Sequence, residues 1–511
     1  MTQITSFAII SGGSACNHIA RSFHKLSSNN VCYILGISDN GGSTSELLRV
    51  LGGPSIGDLR SRLTRLIDVG ENAQSPERMA MKDLLSYRLP ADASEEEVKD
   101  EWAAIVEGRH KLWNDIPIEK KEAIRGFLAS FNFEILKRAH KRFNFCNGSI
   151  GNFFLTGARL FFGSLEAALF LFSAITGISE PTTVVPIINT NHTATIAALL
   201  VNGETLVGQC EISHPSSSPH PKTPGGRRNL NPIDAFSHLD EDGQAEDDNA
   251  YFRDNSNLVF SKHANEKLVS PIQRIYYINT FGQEIYPVPN PKVISHLSSK
   301  ETLIYSIGSL YTSIVPCLIL RNVGNTIAQS SSLKYKILML NGSNDRETTD
   351  YTAMDFIQTI TAALNESQKI DARRAFYQSC DSEPSSYAFP SYSQTTPFRR
   401  SPLSSHCGSS VYSFDSVTTA PSITSSTAVG SMPASPSHQY PPFPDHLFSP
   451  SPPTSFITHM IYLHNSTIPV DTEAITRLGI QCVCIQGSTT PCGEAVYDEA
   501  ILTRTIERIV Q

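Results

Sequence analysis

The 511-residue sequence has no excess of basic charge. Its 41 lysines and arginines stand against 49 aspartates and glutamates, for a net charge of −8 and a pI near 6.0. Nucleic-acid backbones are held by basic stripes, so the balance argues against a nucleic-acid partner, and any anion site must be local, built from loops and helix ends. No run approaches the roughly 18 apolar residues of a membrane span. The opening residues, Met1-Thr2-Gln3-Ile4-Thr5-Ser6, show no charged stretch followed by an apolar one. The expectation is a soluble protein of the cytoplasm or nucleus, with no membrane partner. Ten cysteines fall without a recurring spacing. Cys482-Val483-Cys484 is a CxC in a strand-like run rather than one of the CxxC pairs of a zinc site, and the thiols read as buried residues of a reducing compartment. HExxH, Walker A and serine-histidine-acid patterns are missing as well, which disfavours covalent and P-loop mechanisms.

What is present is an alternation of apolar strands and amphipathic helices. Phe7 to Ser11 reads as a strand that ends on Gly12-Gly13-Ser14, Ala15 to Leu26 has helical spacing, and Val31 to Ile37 is a second apolar run. Together they predict a βαβ unit with a parallel sheet buried on both faces. Residues 75–145 are more charged and read as a helical insertion, with a capping box at Ser94-Glu95-Glu96-Glu97 and with Trp102 and Trp113 as core anchors. Helices at Phe153 to Phe162 and Leu165 to Ile175 follow. Thr183 to Ile188 and Thr205 to Val207, with Asn202-Gly203 as a turn, read as a hairpin hung on the sheet.

Residues 214–263 are Ser/Pro/Gly-rich and then acidic, and 366–455 are rich in Ser, Pro, Thr and Tyr. Both are expected to be disordered inserts, since such composition buries too little apolar area to offset ordering entropy. Between them, strands at Ile272 to Ile278, Thr302 to Ser306 and Lys336 to Leu340 precede a helix at Tyr351 to Leu364. A final βαβα stretch from Ile457 to Ile509 returns to the sheet. The fold class is therefore α/β: a Rossmann-like, mostly parallel sheet with helices on both faces, a helical insertion and disordered inserts. Residues 1–365 and 456–511 form its single domain. Ser-Pro steps at Ser401, Ser435, Ser449 and Ser451, with Thr396-Pro397, suit proline-directed kinases.

Three glycine loops sit between a strand and a helix, where backbone N–H groups and the helix dipole favour an anion. The first, Ser11-Gly12-Gly13-Ser14, serves either an anion or close backbone packing. The second, Ser38-Asp39-Asn40-Gly41-Gly42-Ser43-Thr44-Ser45, concentrates a carboxylate, an amide, two glycines and several hydroxyls. The third, Gly52-Gly53-Pro54-Ser55-Ile56-Gly57-Asp58, leads into a helix with Arg60, Arg62 and Arg65, of which Arg62 and Arg65 share a face. Three roles are open for Asp39: bonding a ribose hydroxyl, holding Mg2+ together with Asp58, or capping a helix as Asp58 also could.

These residues carry a resemblance. Gly12-Gly13-Ser14, Asp39-Asn40-Gly41-Gly42-Ser43 with Arg49, and Pro54-Ser55-Ile56-Gly57-Asp58-Leu59-Arg60 resemble the GGTG, DDGGSSGxLR and PPGDxRN signatures of the CofD/YvcK family (UPF0052). Gly151-Asn152, Gly308-Ser309-Leu310-Tyr311-Thr312-Ser313-Ile314-Val315-Pro316 and Asn341 with Glu347 to Thr352 are similar to its GN, GSLYTSxxP and N…GET blocks, in the same order. The resemblance implies a Rossmann-like fold. It also implies one of two functions: a 2-phospho-L-lactate transferase-type reaction on a nucleotide-diphospho donor with Mg2+, or a YvcK-like, UDP-sugar-binding regulation of carbon metabolism of the gluconeogenesis-factor kind. Asp39 and Asp58 are the implied catalytic and metal-binding residues. Gly12, Gly13, Ser14, Asn40, Gly41, Gly42, Ser43, Gly57, Arg60, Asn152, Ser309, Thr312 and Ser313 are those implied for the nucleotide and its phosphates. Asn40 stands where the signature has its second acid, and Gly52-Gly53-Pro54-Ser55 departs from the PP of the third block. The partners expected are a nucleotide diphosphate or nucleotide sugar, a second copy of the chain as a homodimer, and kinases at the Ser-Pro steps.

Overall fold

The computed structural model describes residues 5–13, 15–27, 30–67, 75–178, 180–214, 267–279, 281–382, 443–491 and 493–511. Eleven strands set the frame: β1 (Phe7–Ile10), β2 (Val31–Leu35), β3 (Thr183–Pro186), β4 (Thr195–Leu200), β5 (Thr205–Val207), β6 (Ile272–Ile278), β7 (Glu284–Ile285), β8 (Thr302–Tyr305), β9 (Tyr335–Met339), β10 (His459–Leu463) and β11 (Gln481–Ile485). Seven of them form one sheet in the order β11-β10-β9-β8-β1-β2-β3, and each neighbouring pair is parallel. The alternation of side chains divides the core. Ala8, Ile10, Cys32 and Ile34 enter one buried cluster, while Phe7, Ile9, Val31 and Tyr33 enter another with Phe23, Leu502 and Ile506 on the opposite face. Strands buried on both faces explain the unbroken apolar runs in the sequence.

The strand order is that of a doubly wound Rossmann-like sheet. The chain steps outward from β1 through β2 to β3, then returns to β8 on the other side of β1 and steps outward again to β11. The direction reverses between β1 and β8, so the loops that leave these two strands part and open a crevice at their carboxyl ends.

The first eight α-helices are α1 (Ala20–Ser27), α2 (Ser43–Leu51), α3 (Gly57–Leu66), α4 (Pro76–Ser86), α5 (Glu95–Val106), α6 (Ile118–Leu136), α7 (Ile150–Phe162) and α8 (Leu165–Thr176). α4 to α6 occupy the stretch expected to be a helical insertion. The capping box at Ser94 and Glu97 is formed, and Trp102 is buried edge-on to Phe131 and Phe153, at ring separations of 5.9 and 5.2 Å. The apolar spacing from Ala15 breaks into a 3-10 turn over Ala15–Ile19 before α1 begins.

Three expectations need correction. The stretch Thr183 to Ile188 does not enter a hairpin with Thr205 to Val207; it supplies β3, which pairs with β2 at the sheet edge. The hairpin across Asn202-Gly203 joins β4 to β5 instead, within a separate antiparallel sheet of order β5-β4-β6-β7. β4 was hidden because Thr195–Leu200 is a short apolar run without clear alternation. The helix expected at Tyr351 to Leu364 runs Ala353–Ser382. It passes residue 366 because Ser367 is fully buried there: its hydroxyl donates to the Leu320 carbonyl and accepts from the Gly324 amide.

The chain divides into two compact units, Met1–Asp371 with Ser449–Gln511, and Ala372–Phe448. In the second, Phe376 packs on Tyr377 and Phe443 at 5.3 and 5.7 Å. Of the stretches expected to be disordered, 215–266 and 383–442 lie outside the described residues, as do the Ser-Pro steps at Ser401 and Ser435 and Thr396-Pro397. Among the described residues no helix is long and apolar enough to cross a membrane.

Candidate functional site

The first glycine loop lies at the sheet's reversal point. A methyl group on Gly12 would stand 3.1 Å from Ser313 Oγ and 3.5 Å from Gly308 Cα, and one on Gly308, whose φ is 152°, would stand 3.0 Å from the Gly12 amide nitrogen. The loops after β1 and β8 thus touch backbone to backbone, which only glycine permits on both sides. Asn341, just past β9, fixes this contact: its amide donates to the Gly308 carbonyl (2.9 Å), and its side-chain oxygen accepts from the Gly308 amide (3.2 Å). Ser14 lies outside the described residues.

Gly13 makes room for Asp58. A Cβ at this position would fall 1.9 Å from Asp58 Oδ1 and 2.7 Å from its Cα. Asp58 sits in the first turn of α3, and its carboxyl is pushed up to about 7. Burial is the largest cause and the charge of Asp39 the next; Arg62, the Gly13 amide and Arg60 oppose them. Asp39 comes from the loop after β2, where its Oδ1 accepts from the Gly41 amide at 2.9 Å. Its Oδ2 lies 3.7 Å from where a Cβ on Gly57 would stand, which brings its charge to the start of α3, near enough to raise Asp58.

Asn40 does not join this pair. Its Oδ1 accepts from the Cys210 amide at 3.0 Å, and its Nδ2 would meet a Cβ on Gly208 at 2.6 Å. The side chain clips the segment after β5 onto the Asp39 loop. Gly41 backs onto Cys210 Sγ, 3.3 Å from where its Cβ would be. Gly42, at φ 53°, turns the chain into α2.

A second group of polar side chains converges on Ser43, the first residue of α2. The Ser43 hydroxyl accepts from Asn152 Nδ2 and from Arg88 NH1, both at 3.2 Å. Asn152, 1% exposed, accepts in turn from Arg60 Nε at 3.1 Å. Gly151 lets the Arg60 stem pass, since a Cβ there would sit 3.0 Å from Arg60 Cγ and Cδ. Among the described residues neither Arg60 nor Arg88 is in an ion pair with a carboxylate. Burial holds Arg60 down to about 10, the charge of Arg88 adds to that, and Asp58 opposes it. Arg88 was missed in the sequence. It follows α4 in Ser86-Tyr87-Arg88-Leu89-Pro90, away from any glycine loop, and the isolated bridge between Arg88 and Ser149, with the bond from Arg88 NH1 to the Asn147 carbonyl, brings it to the α7 N-terminus.

The other arginines of α3 have structural partners. Arg62 is fully buried beneath the first loop. Its guanidinium lies 4.6 Å from the Tyr33 ring centre and donates to Ser11 Oγ at 3.3 Å and to the Gly12 carbonyl at 3.4 Å. Arg65 donates to the Asn17 carbonyl.

The segment after β8 is only partly turned to the crevice. Ser309 begins a π-helical turn, Leu310–Ile314, without a side-chain capping bond, and Ser313 approaches Gly12. Thr312 is turned away and buried: its hydroxyl donates to Glu347 at 2.5 Å. The buried Glu347 carboxylate also accepts from the Tyr311 and Thr312 amides, at 2.9 and 3.1 Å, and from Ser213 Oγ at 2.5 Å. It is pushed up to about 7, first by burial and then by Asp345.

For a metal, Asp39 and Asp58 fit Mg2+, which takes one or two carboxylates and completes its shell with substrate phosphates and water. Two like carboxyls whose mutual repulsion raises one pKa are a natural seat for a cation. Among the described residues no group of three or more His, Cys, Asp or Glu side chains forms a metal cluster. A cavity of about 400 Å3 lies against β6, with Tyr276, Ile319, Arg321 and, from the segment after β8, Tyr311 among its walls.

A seven-stranded parallel sheet whose glycine loops meet at its reversal point defines the chain as a doubly wound, Rossmann-like α/β protein. The sequence model of the family described as "2-phospho-L-lactate transferase CofD" matches residues 7–382, and the chain belongs to that family. It is 42% identical over 378 residues to the uncharacterized protein YNL011C of Saccharomyces cerevisiae, covering 70% of this chain and 82% of that one. Over 86 residues it is 34% identical to a Nostoc protein named "Putative gluconeogenesis factor", covering 17% of this chain and 19% of the relative. The fold is similar to the crystal structure of protein BH3568 from Bacillus halodurans, with a TM-score of 0.54, 12% identity and coverage of 99% of each chain. A second structure of that protein, described as a member of the UPF0052 family, gives a TM-score of 0.53 at 12% identity, covering 98% of this chain and 99% of that one.

Proposed function

We propose that the chain binds a nucleotide-diphospho compound in the crevice between the β1 and β8 loops and transfers a phospho-containing group from it to an acceptor hydroxyl. The observation that carries this reading is that Asp39 and Asp58 come to the start of α3 beside Gly13, close enough for one charge to raise the other carboxyl. Gly12, Gly13 and the start of α3 at Gly57 would hold the diphosphate, with Arg60 balancing its charge. The acceptor oxygen forms the new bond to the distal phosphorus. The anhydride P–O bond breaks, and the nucleoside monophosphate leaves with its electron pair. The acceptor proton is lost to solvent, and Asp39 and Asp58 act through the cation they would hold rather than as a free base. Mg2+ held by Asp39 and Asp58 would neutralise charge on the phosphates. Because Asn40 is engaged with Cys210, its replacing an acid takes no ligand from this pair.

A second reading, a YvcK-like regulator that binds a UDP-sugar without turning it over, is favoured by one observation: the 34% identity over 86 residues to the Nostoc protein named "Putative gluconeogenesis factor". The test that separates the two is turnover of nucleotide-diphospho donors by the purified chain with Mg2+. Formation of nucleoside monophosphate that Asp39→Asn abolishes supports transfer. A thermal shift with UDP-sugars that survives chelation, with no product from any donor, supports the regulator and overturns the transferase.

A further inference from the structure

The cavity against β6 is walled on one side by β6 and β7 and on another by the long helix Ala353–Ser382. The helix brings Thr359, Ala362, Ala363, Glu366 and Ile370 to it, a spacing of three and four residues that keeps them on one face. The two alanines are too small to fill the space left against the sheet. At about 400 Å3 the cavity has the size of a small-molecule pocket, and Tyr286 in its wall is 50% exposed, so it opens to solvent. Neither Asp39 nor Asp58, no residue of the three glycine loops and none of the group around Ser43 lines it. Several polar groups of the wall have partners. Arg274 donates twice to Glu284, both times at 2.8 Å, the Tyr277 hydroxyl donates to the Pro316 carbonyl at 3.0 Å, and the Tyr311 and Tyr351 hydroxyls share a bond of 2.7 Å. Arg321 differs. Its Nε is buried without a hydrogen-bond partner, and among the described residues its guanidinium is in no ion pair. Glu366, the other carboxylate of the wall, is exposed and is not paired with it. Arginine cannot shed its proton, so a buried donor left unmatched carries a cost that a bound oxyanion would remove.

We propose that this cavity is a second ligand site, for a small organic acid with an apolar, flat body. The body packs among Tyr276, Ile285, Tyr311 and Ile319, whose aromatic and aliphatic groups offer it a surface to leave water for. The acid group meets Arg321, whose fork of N–H donors matches a carboxylate in shape as well as charge. Arg274 does not compete for it, since Glu284 already occupies that guanidinium. Ala362 sets the room available to the body.

The experiment uses the full chain and follows the fluorescence of anilinonaphthalene sulfonate, a dye with a flat apolar body and an acid group. Naphthaleneacetate and its neutral amide, naphthaleneacetamide, are compared as competitors that displace it. The acid is expected to compete about tenfold better than the amide, as a charge-assisted paired contact supplies. Arg321→Gln is expected to bring the two to equal strength, and Arg321→Lys to restore part of the difference. The ratio is the readout, so a general loss of affinity cancels, and circular dichroism checks that each variant is folded. Ala362 is an exposed helix position, where a larger side chain can fill the cavity without entering the core. Ala362→Phe is therefore expected to weaken acid and amide alike. Equal competition by the two in the wild type, or a preference that survives Arg321→Gln, overturns the role of Arg321 and with it the ligand class. Affinities unchanged in Ala362→Phe put the probes elsewhere on the surface and overturn the site, as does a failure of both competitors to displace the dye.

Discussion

The side-chain oxygen of Asn40 accepts a hydrogen bond from the backbone amide of Cys210, 170 residues further along the chain and 3.0 Å away. The residue that stands in place of an acid in the family signature therefore works as a clip. It holds the Asp39 loop to the segment that follows β5.

Asn40→Ala is expected to cost about 1 kcal/mol of stability, the usual worth of one hydrogen bond whose partner is left unsatisfied. The larger effect should be on order: amide exchange at Cys210 should speed up in the variant. Asn40→Asp keeps an acceptor for the Cys210 amide and should protect it. Equal exchange in wild type and Asn40→Ala would show that the clip does not hold the segment.

The pH dependence of stability follows from Asp58. Its carboxyl is raised to about 7 from an ordinary 3.8, so the folded chain binds this proton more tightly than the unfolded one. The stability gained is complete below about pH 4 and is lost as pH rises through about 7. Asp58→Asn has no proton to lose. Its unfolding temperature should therefore gain on that of the wild type as pH rises across this window, and level off above it. Parallel pH profiles for the two proteins would contradict the assignment.

Gly13→Ala tests the approach of α3 to the first loop. The added methyl would overlap Asp58 Oδ1 and press on backbone at 2.7 Å, so the helix start has to shift. A loss of roughly 1–3 kcal/mol is expected, as for overpacking in a tight core, read by chemical denaturation. Gly42 and Gly52, with open space around the Cβ position, would strain only their positive φ and serve as comparison sites.

Glu347 titrates in the same sense as Asp58, raised to about 7 by burial and by Asp345. Glu347→Gln keeps acceptor capacity and loses the charge, so it should flatten the remaining pH dependence of stability between about pH 4 and 7. Glu347→Ala strips the Tyr311 and Thr312 amides and the Ser213 hydroxyl of their acceptor. It should cost about 1–3 kcal/mol for the buried groups left unsatisfied. Equal unfolding midpoints for the Gln and Ala variants would show that the acceptor role is idle.

The sheet was legible in the sequence because its strands are buried on both faces and read as plain apolar runs, as Phe7–Ile10 and Val31–Leu35 do. The glycine loops were legible because backbone contacts as close as Gly12 on Gly308 demand a residue without a side chain. Other features depend on distance in space. Arg88 reaches Ser43 across 45 residues, and no local pattern announces it. Thr312 belongs to a recognisable block, yet its partner Glu347 lies 35 residues on, so the motif could not reveal that the hydroxyl is turned inward. Asn40 was read beside Asp39 because the two are adjacent in sequence, but their side chains leave the loop in different directions. Strand β3 was assigned to a hairpin because its neighbour in the sheet, β2, is about 150 residues earlier in the chain.

The Glu347 carboxylate has a further consequence for how this chain tolerates change. It grips Ser213, the last residue of the short helix Gln209–Ser213, while Ile272–Ile278 is locked at the far end by its pairing with β4. One anchor point is thus fixed by a carboxylate of the 3-10 turn Arg346–Thr348 and the other by strand pairing, and lengthening the stretch between them adds only a slowly growing closure entropy. That stretch is where a reporter domain could be spliced in, or residues added and removed over generations, with the least disturbance to the glycine loops.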